Sequence, residues 1–235
     1  MNNILEIKEL TKSYGKVKVL NNINLEVGPN EIIGLLAPNG EGKSTLMKII
    51  SGIITRYDGE VHLNGEKINY RSRNKIAFMA DKNIIPTSWT VNDAIKYYNK
   101  YFKGYNRSKA EDMISSFNIA RQSRISELSL GSVEKVNLAL TFGVDADIFL
   151  LDEPLAAIDI IAREDILRAI ITQFKEGSTV IISTHLIQDI EKVFDRVILL
   201  DRGAIIQNKM VEEIREGGKS VVEFYKEVYS YESRM

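Results

Sequence analysis

Residues 37–45 read Ala-Pro-Asn-Gly-Glu-Gly-Lys-Ser-Thr. Glycines in such a run let backbone N–H groups turn inward around a polyanion, and a helix starting there adds the positive end of its dipole. The amides of Asn39, Gly40, Glu41 and Gly42 then make a phosphate cradle. Lys43 reaches the outer phosphates, Ser44 offers a hydroxyl to Mg2+, and Thr45 bonds the α-phosphate side. The general pattern opens with glycine, and Ala37 stands in its place. That exchange costs about 1 kcal/mol if φ is positive there and nothing if it is negative. A second acidic feature closes the apolar run 148–151: Asp152 is placed to support Mg2+ and Glu153 to polarise an attacking water.

The elements around these residues have to aim them at one point. IIGLLA at 32–37 is apolar on both faces, as in a strand covered on both sides, and it leads into the phosphate loop. A helix is expected from there to about Ile54. KIAFMA (75–80), DIFLLD (147–152) and TVIIST (179–184) are further buried strands, and a helical stretch from Ile158 to Phe174 separates the last two. Strands alternating with helices predict an α/β fold with a mainly parallel sheet. Residues 4–10, 22–27 and 60–68 alternate apolar and polar instead, which predicts an added N-terminal antiparallel β layer. RVILLD, Arg202-Gly203 and AIIQNKM read as a hairpin. The tail from Val211 reads as a terminal helix whose last residues, YKEVYSYESRM, are loosely held.

From Thr90 to about Leu128 the pattern is helical. The expected organisation is one domain, with 1–86 and 129–235 as a P-loop NTPase core and 87–128 as a helical subdomain insertion. Trp89 and the stripe Tyr97, Tyr101, Tyr105 read as packing inside that insertion. The alternative is a groove that receives a coupling helix from a membrane partner.

The motifs and their order resemble the ATP-binding cassette (ABC) family, in particular the nucleotide-binding subunit of an ABC transporter. The resemblance covers almost the whole chain. It rests on Tyr14 in KSYGKVKVL, the phosphate loop, Leu128-Ser129-Leu130-Gly131-Ser132, LLDEP, Ala156-Ala157-Ile158-Asp159 and His185 in ISTHL. It implies that Tyr14 stacks on adenine, that Ser129 and Gly131 contact a γ-phosphate, and that Asp159 reports across a subunit seam. It also implies that His185 holds the γ-phosphate from the side. Two further motifs depart from the family pattern. Asp81 stands where a glutamine helps to bind Mg2+; it offers oxygen but is one methylene shorter. The signature segment has Leu130 and Ser132 in place of glycine and glutamine.

The resemblance implies an ATP hydrolase using ATP and Mg2+. Two cassettes would sandwich two nucleotides head to tail, as a homodimer or as a heterodimer with a second ABC cassette. A separate transmembrane permease subunit would hold the chain at the inner, cytoplasmic face of the cell membrane. The short helical stretch and the segment TSWTVNDAIKYY resemble exporter subunits for drugs or antimicrobial peptides. The alternative is a soluble single-cassette ATPase acting as a scaffold or mechanochemical protein. A P-loop kinase or GTPase would need a phosphoacceptor lid or an N-K-x-D segment, and neither is evident.

Composition agrees with these readings. The 235 residues carry 31 Lys and Arg against 32 Asp and Glu, a formal charge of −1, which argues against a generally basic nucleic-acid binder. Cysteine is absent, which excludes disulfides and thiolate chemistry. No apolar run approaches the roughly 18–20 residues of a spanning helix, and the N-terminus shows no secretory signal. Any membrane work would therefore go through a partner.

Overall fold

The computed structural model describes residues 3–156, 158–174 and 176–232. In chain order the first strands are β1 (Leu5–Tyr14), β2 (Val17–Val27), β3 (Ile32–Leu36), β4 (Asp58–Leu63), β5 (Glu66–Lys67) and β6 (Ile76–Met79). They are followed by β7 (Ile148–Asp152), β8 (Thr179–Thr184), β9 (Arg196–Asp201) and β10 (Ala204–Met210). The alternating segments pair as an antiparallel sheet ordered β2-β1-β4-β5. The apolar ones form a second sheet ordered β10-β9-β3-β8-β7-β6, parallel except for the β9–β10 hairpin at its edge.

Period-two geometry explains why the central strands are apolar throughout. Ile33 and Leu35 of β3 face a core shared with the antiparallel sheet and with helix α1 (Lys43–Ile50). Ile32 and Leu36 face the opposite core, which is closed by helices. Ile148 and Leu150 of β7 share the first core, and Phe149 and Leu151 the second. Each such buried side chain contributes about 1.5–3 kcal/mol of hydrophobic stabilisation.

The remaining helices are α2 (Val91–Tyr101), α3 (Arg107–Ser116), α4 (Leu130–Phe142), α5 (Ile160–Gln173), α6 (Ile187–Ile190), α7 (Val211–Glu216) and α8 (Val221–Glu232). Thr90 starts α2 with a reciprocal cap: its hydroxyl accepts from the Asp93 N–H, and the Asp93 carboxylate accepts from the Thr90 N–H. Helix α4 packs against α2, α3, α5 and β6, which accounts for its almost complete burial.

Three expectations need correction. Helix α1 ends at Ile50 and not near Ile54, because Gly52 turns the chain at φ 73° and its N–H bonds the Ile49 carbonyl. The aromatic stripe is core only in part: Trp89 and Tyr105 pack against the core, and Tyr97 and Tyr101 do not. Helix α2 ends at Tyr101, so Tyr105 leaves the helical repeat, and Tyr97 and Tyr101 are 44% and 61% exposed. Within the tail expected to be loosely held, residues 225–230 are held more firmly than expected, and 233–235 lie outside the described residues. Tyr225, Val228 and Tyr229 of α8 pack on the core, and the Tyr229 hydroxyl donates to the Leu200 carbonyl at 2.5 Å.

Candidate functional site: a phosphate loop facing two strand-end carboxylates

The parallel strands β3, β7 and β8 end side by side, so whatever lies beyond them meets at one edge of the sheet. After β3 the chain enters the loop through Ala37. Ala37 is absent from the positive-φ residues, so its substitution for glycine carries no backbone strain. Gly40 and Gly42 do adopt left-handed conformations, at φ 91° and 96°. At Gly42 a Cβ would also lie 2.8 Å from the Val19 carbonyl oxygen, so only glycine fits. Lys43 begins α1 and is buried, and its ammonium donates to the carbonyls of Ala37 (2.9 Å) and Pro38 (3.2 Å). Burial pushes this ammonium below the ordinary lysine value, against the opposing pull of Glu153, Asp152 and Glu41.

Asp152 ends β7 fully buried. Its Oδ1 accepts from the Ser183 hydroxyl of β8, while Oδ2 is buried with no hydrogen-bond partner among the described residues. An orphaned carboxylate oxygen in such a place is costly unless something else takes it up. Glu153 comes next in a left-handed conformation, φ 51°, an uncommon state for a non-glycine residue and one that clusters at functional sites. Its backbone N–H is held by the Ser183 carbonyl and hydroxyl, both at 3.0 Å. Its carboxylate meets His185 Nδ1 at 2.8 Å and the His185 backbone N–H at 3.3 Å.

A cleft of about 290 Å3 opens between these elements. It is lined by the run Asn39, Gly40, Glu41, Gly42, Lys43, Ser44 and Thr45, together with Val19, Asp81 and Glu153. The Ser44 hydroxyl, the orphaned Asp152 Oδ2 and the Asp81 carboxylate are all oxygen donors, the set that suits a hard divalent cation sharing its shell with phosphate. The residues present therefore fit Mg2+. Val19 and Ser183 are additions to the site that the sequence motifs do not single out; the polar pair Ser183-Thr184 at the end of an apolar strand is the available signal.

Asp152, whose Oδ2 is buried, and His185 contact residues of the cleft without lining it, and the other predicted residues also lie outside the lining. Tyr14, at the end of β1, is 49% exposed, with the Lys12 ammonium 4.7 Å from its ring centre. Ser129 caps α4, accepting from the Ser132 N–H at 3.2 Å. Gly131 lies two residues on, so close to α5 that a Cβ would sit 3.0 Å from Ala162 Cβ. Asp159 caps α5 through the Ala162 N–H at 2.9 Å, a bond that lowers its carboxyl from the usual range. Within 156–159, Ala157 lies outside the described residues.

A strand-to-helix phosphate loop facing a buried aspartate and a glutamate at the end of a parallel strand in the same sheet defines a P-loop NTPase. Comparison with known proteins narrows the class. The sequence model of the ABC transporter family matches residues 20–156. An uncharacterized ABC transporter ATP-binding protein of Methanocaldococcus jannaschii is 35% identical over 216 residues, 89% of this chain and 79% of that protein. The lantibiotic transport ATP-binding protein SrtF of Streptococcus pyogenes is 28% identical over 98% of this chain and all of its own length. A solved ATP-binding subunit of an ABC transporter shares the fold with a TM-score of 0.86, at 23% identity over 96% of this chain and 99% of its own. The chain belongs to the ABC transporter family, as its ATP-hydrolysing cassette.

Proposed function

We propose that this cassette powers export through a separate transmembrane permease, and that a second cassette completes its nucleotide site. The pairing of Glu153 with His185 beside the phosphate cleft carries the catalytic part of this reading. Lys43 and the loop amides neutralise the β- and γ-phosphates, where phosphoryl transfer needs charge compensation more than covalent chemistry. Glu153 orients the attacking water, and His185 holds the Glu153 carboxylate and reaches the γ-phosphate from the side. Ser44, Asp152 and Asp81 hold Mg2+, which when bound supplies positive charge to the phosphate oxygens. Tyr14 stacks on adenine.

Ser129 and Gly131 belong to a helix start that the chain's own cleft does not include, and they are assigned to the γ-phosphate on an opposing cassette. Asp159 reports across that seam. A solved relative is a dimeric cassette in a post-hydrolysis state with ADP and Pi, sharing the fold with a TM-score of 0.78 at 24% identity. The domain division also belongs to this reading, with 87–128 as the helical subdomain between the two parts of the core.

The membrane partner is assigned to the aromatic surface. Ile84, Ile85, Pro86, Trp89, Tyr97 and Tyr98 line a groove of about 460 Å3, with Ile84 68% exposed. An exposed apolar groove of this kind marks an interaction site, which favours a coupling helix over the soluble scaffold alternative. The exporter assignment draws on relatives named for lantibiotic transport and, in Enterococcus faecalis, for bacitracin transport; the latter is 28% identical over 95% of this chain and 75% of its own length. A permease partner places the cassette at the inner face of the membrane. The test is ATPase rate against chain concentration. A rate per chain that climbs with concentration is expected, and strict linearity would contradict site sharing. Full activity of the purified chain alone would exclude an obligate heterodimer.

A further inference from the structure

The phosphate loop carries an acid, Glu41, directly before Gly42 and Lys43. A carboxylate beside a polyphosphate site is electrostatically adverse, so its placement calls for a reason. Glu41 Oε2 accepts a hydrogen bond from the Arg202 backbone N–H at 2.5 Å. Arg202 and Gly203 form the two-residue turn between β9 and β10, both left-handed at φ 46° and 76°.

That turn is fixed independently of Glu41. A Cβ at Gly203 would lie 2.5 Å from the Val19 carbonyl oxygen, the same atom that crowds Gly42 from the loop side. The Asn21 N–H donates to the Gly203 carbonyl at 2.8 Å. The Tyr229 hydroxyl bonds the carbonyls of Leu200 (2.5 Å) and Leu36 (3.4 Å), near the ends of the strands that feed the turn and the loop. The turn is thus a rigid post beside a loop rich in glycine.

We propose that Glu41 is a positioning residue: its carboxylate latches the phosphate loop to the β9–β10 turn, holding the loop amides turned inward before nucleotide arrives. This rests on residues 39–45 being the phosphate site. What matters in this role is an acceptor oxygen on the loop, and the negative charge is incidental. Glutamine therefore substitutes for it and alanine does not.

Amide hydrogen exchange on the full chain, without and with MgATP, combined with MgATP affinity, tests the proposal. In Glu41→Ala the Arg202 amide of the nucleotide-free chain should exchange at least about tenfold faster, and MgATP affinity should fall about tenfold or more, the scale of one hydrogen bond to a charged group. In Glu41→Gln the Arg202 amide should stay protected, and MgATP affinity should lie well above that of Glu41→Ala. Unchanged Arg202 exchange in Glu41→Ala would overturn the latch. So would equal affinities in the two variants, because charge alone would then be at work. If Glu41→Ala folds poorly, Glu41→Ser carries the same comparison. Absence of MgATP protection at amides 39–45 in the unmodified chain would instead overturn the phosphate-site reading, while the Arg202 exchange in the nucleotide-free chain still decides the latch.

Discussion

The strand-end cleft and the α4–α5 corner are built in opposite ways. Around the cleft, Lys43 and Asp152 are buried, Glu153 is held at both backbone and side chain, and Asp152 Oδ2 has no hydrogen-bond partner among the described residues. At the corner, Ser129, Leu130, Asp159 and Ile160 are exposed, and the hydroxyl and carboxylate cap their own helices. Gly131 supplies closeness between α4 and α5. One region is preorganised to bind a polyphosphate alone. The other presents a helix N-terminus and an apolar rim outward, the part proposed to complete the site of an opposing cassette.

That contrast can be broken by substitutions on either side. Lys43→Ala should lower MgATP affinity and turnover on the order of 10²–10³-fold, because it removes a cation built into the cleft; titration of a fluorescent ATP analogue measures this. Ser129→Asp should leave that affinity unchanged, since aspartate still caps α4. It should reduce turnover about tenfold or more by placing a carboxylate against an opposing γ-phosphate. If Ser129→Asp weakens nucleotide binding by the isolated chain as much as Lys43→Ala does, the two regions are not separate in function.

A subtler test concerns Glu134, buried on α4. Burial pushes its carboxyl up to about 7, with a hydrogen bond to Asn137 opposing the shift and the nearby Asp81 charge adding to it. Its folded-state value lies above its unfolded one. The stability it allows is therefore complete below about pH 4.5 and is lost as pH rises through about 7. Glu134→Gln should be near neutral at pH 4.5 and more stable by about 1–3 kcal/mol at pH 8; thermal melts at the two pH values read this out. The smallest effect is expected in the helical region. Thr90→Ala removes the cap of α2 and should cost about 1 kcal/mol in denaturant unfolding without changing MgATP affinity.

Legibility in the sequence divides along the same line. Strands β3, β7 and β8 announce themselves because a sheet covered on both faces demands unbroken apolar runs, and the phosphate loop because a polyanion cradle demands glycines. The β9–β10 turn is readable from Arg202-Gly203. Helix α4 is hidden by its own burial. It is packed on several sides, so Val133, Val136, Leu138, Ala139, Leu140 and Phe142 show no single apolar face to the eye. The aromatic stripe misleads for the converse reason. Spacing alone cannot distinguish a core face from an exposed groove, and the end of α2 at Tyr101 breaks the spacing in any case. Ser183 is hidden because its role depends on register, with β8 placing it opposite Asp152.

Glu153, which Ser183 and His185 hold beside the phosphate loop, is proposed to orient the water that cleaves ATP. The decisive comparison sets Glu153→Gln against the unmodified chain for MgATP affinity and for turnover at saturating ATP. Unchanged affinity is expected, with a fall in turnover on the order of 10³-fold and an ATP-bound dimer that persists in size-exclusion chromatography. Turnover by Glu153→Gln at the unmodified rate would remove Glu153 from that role.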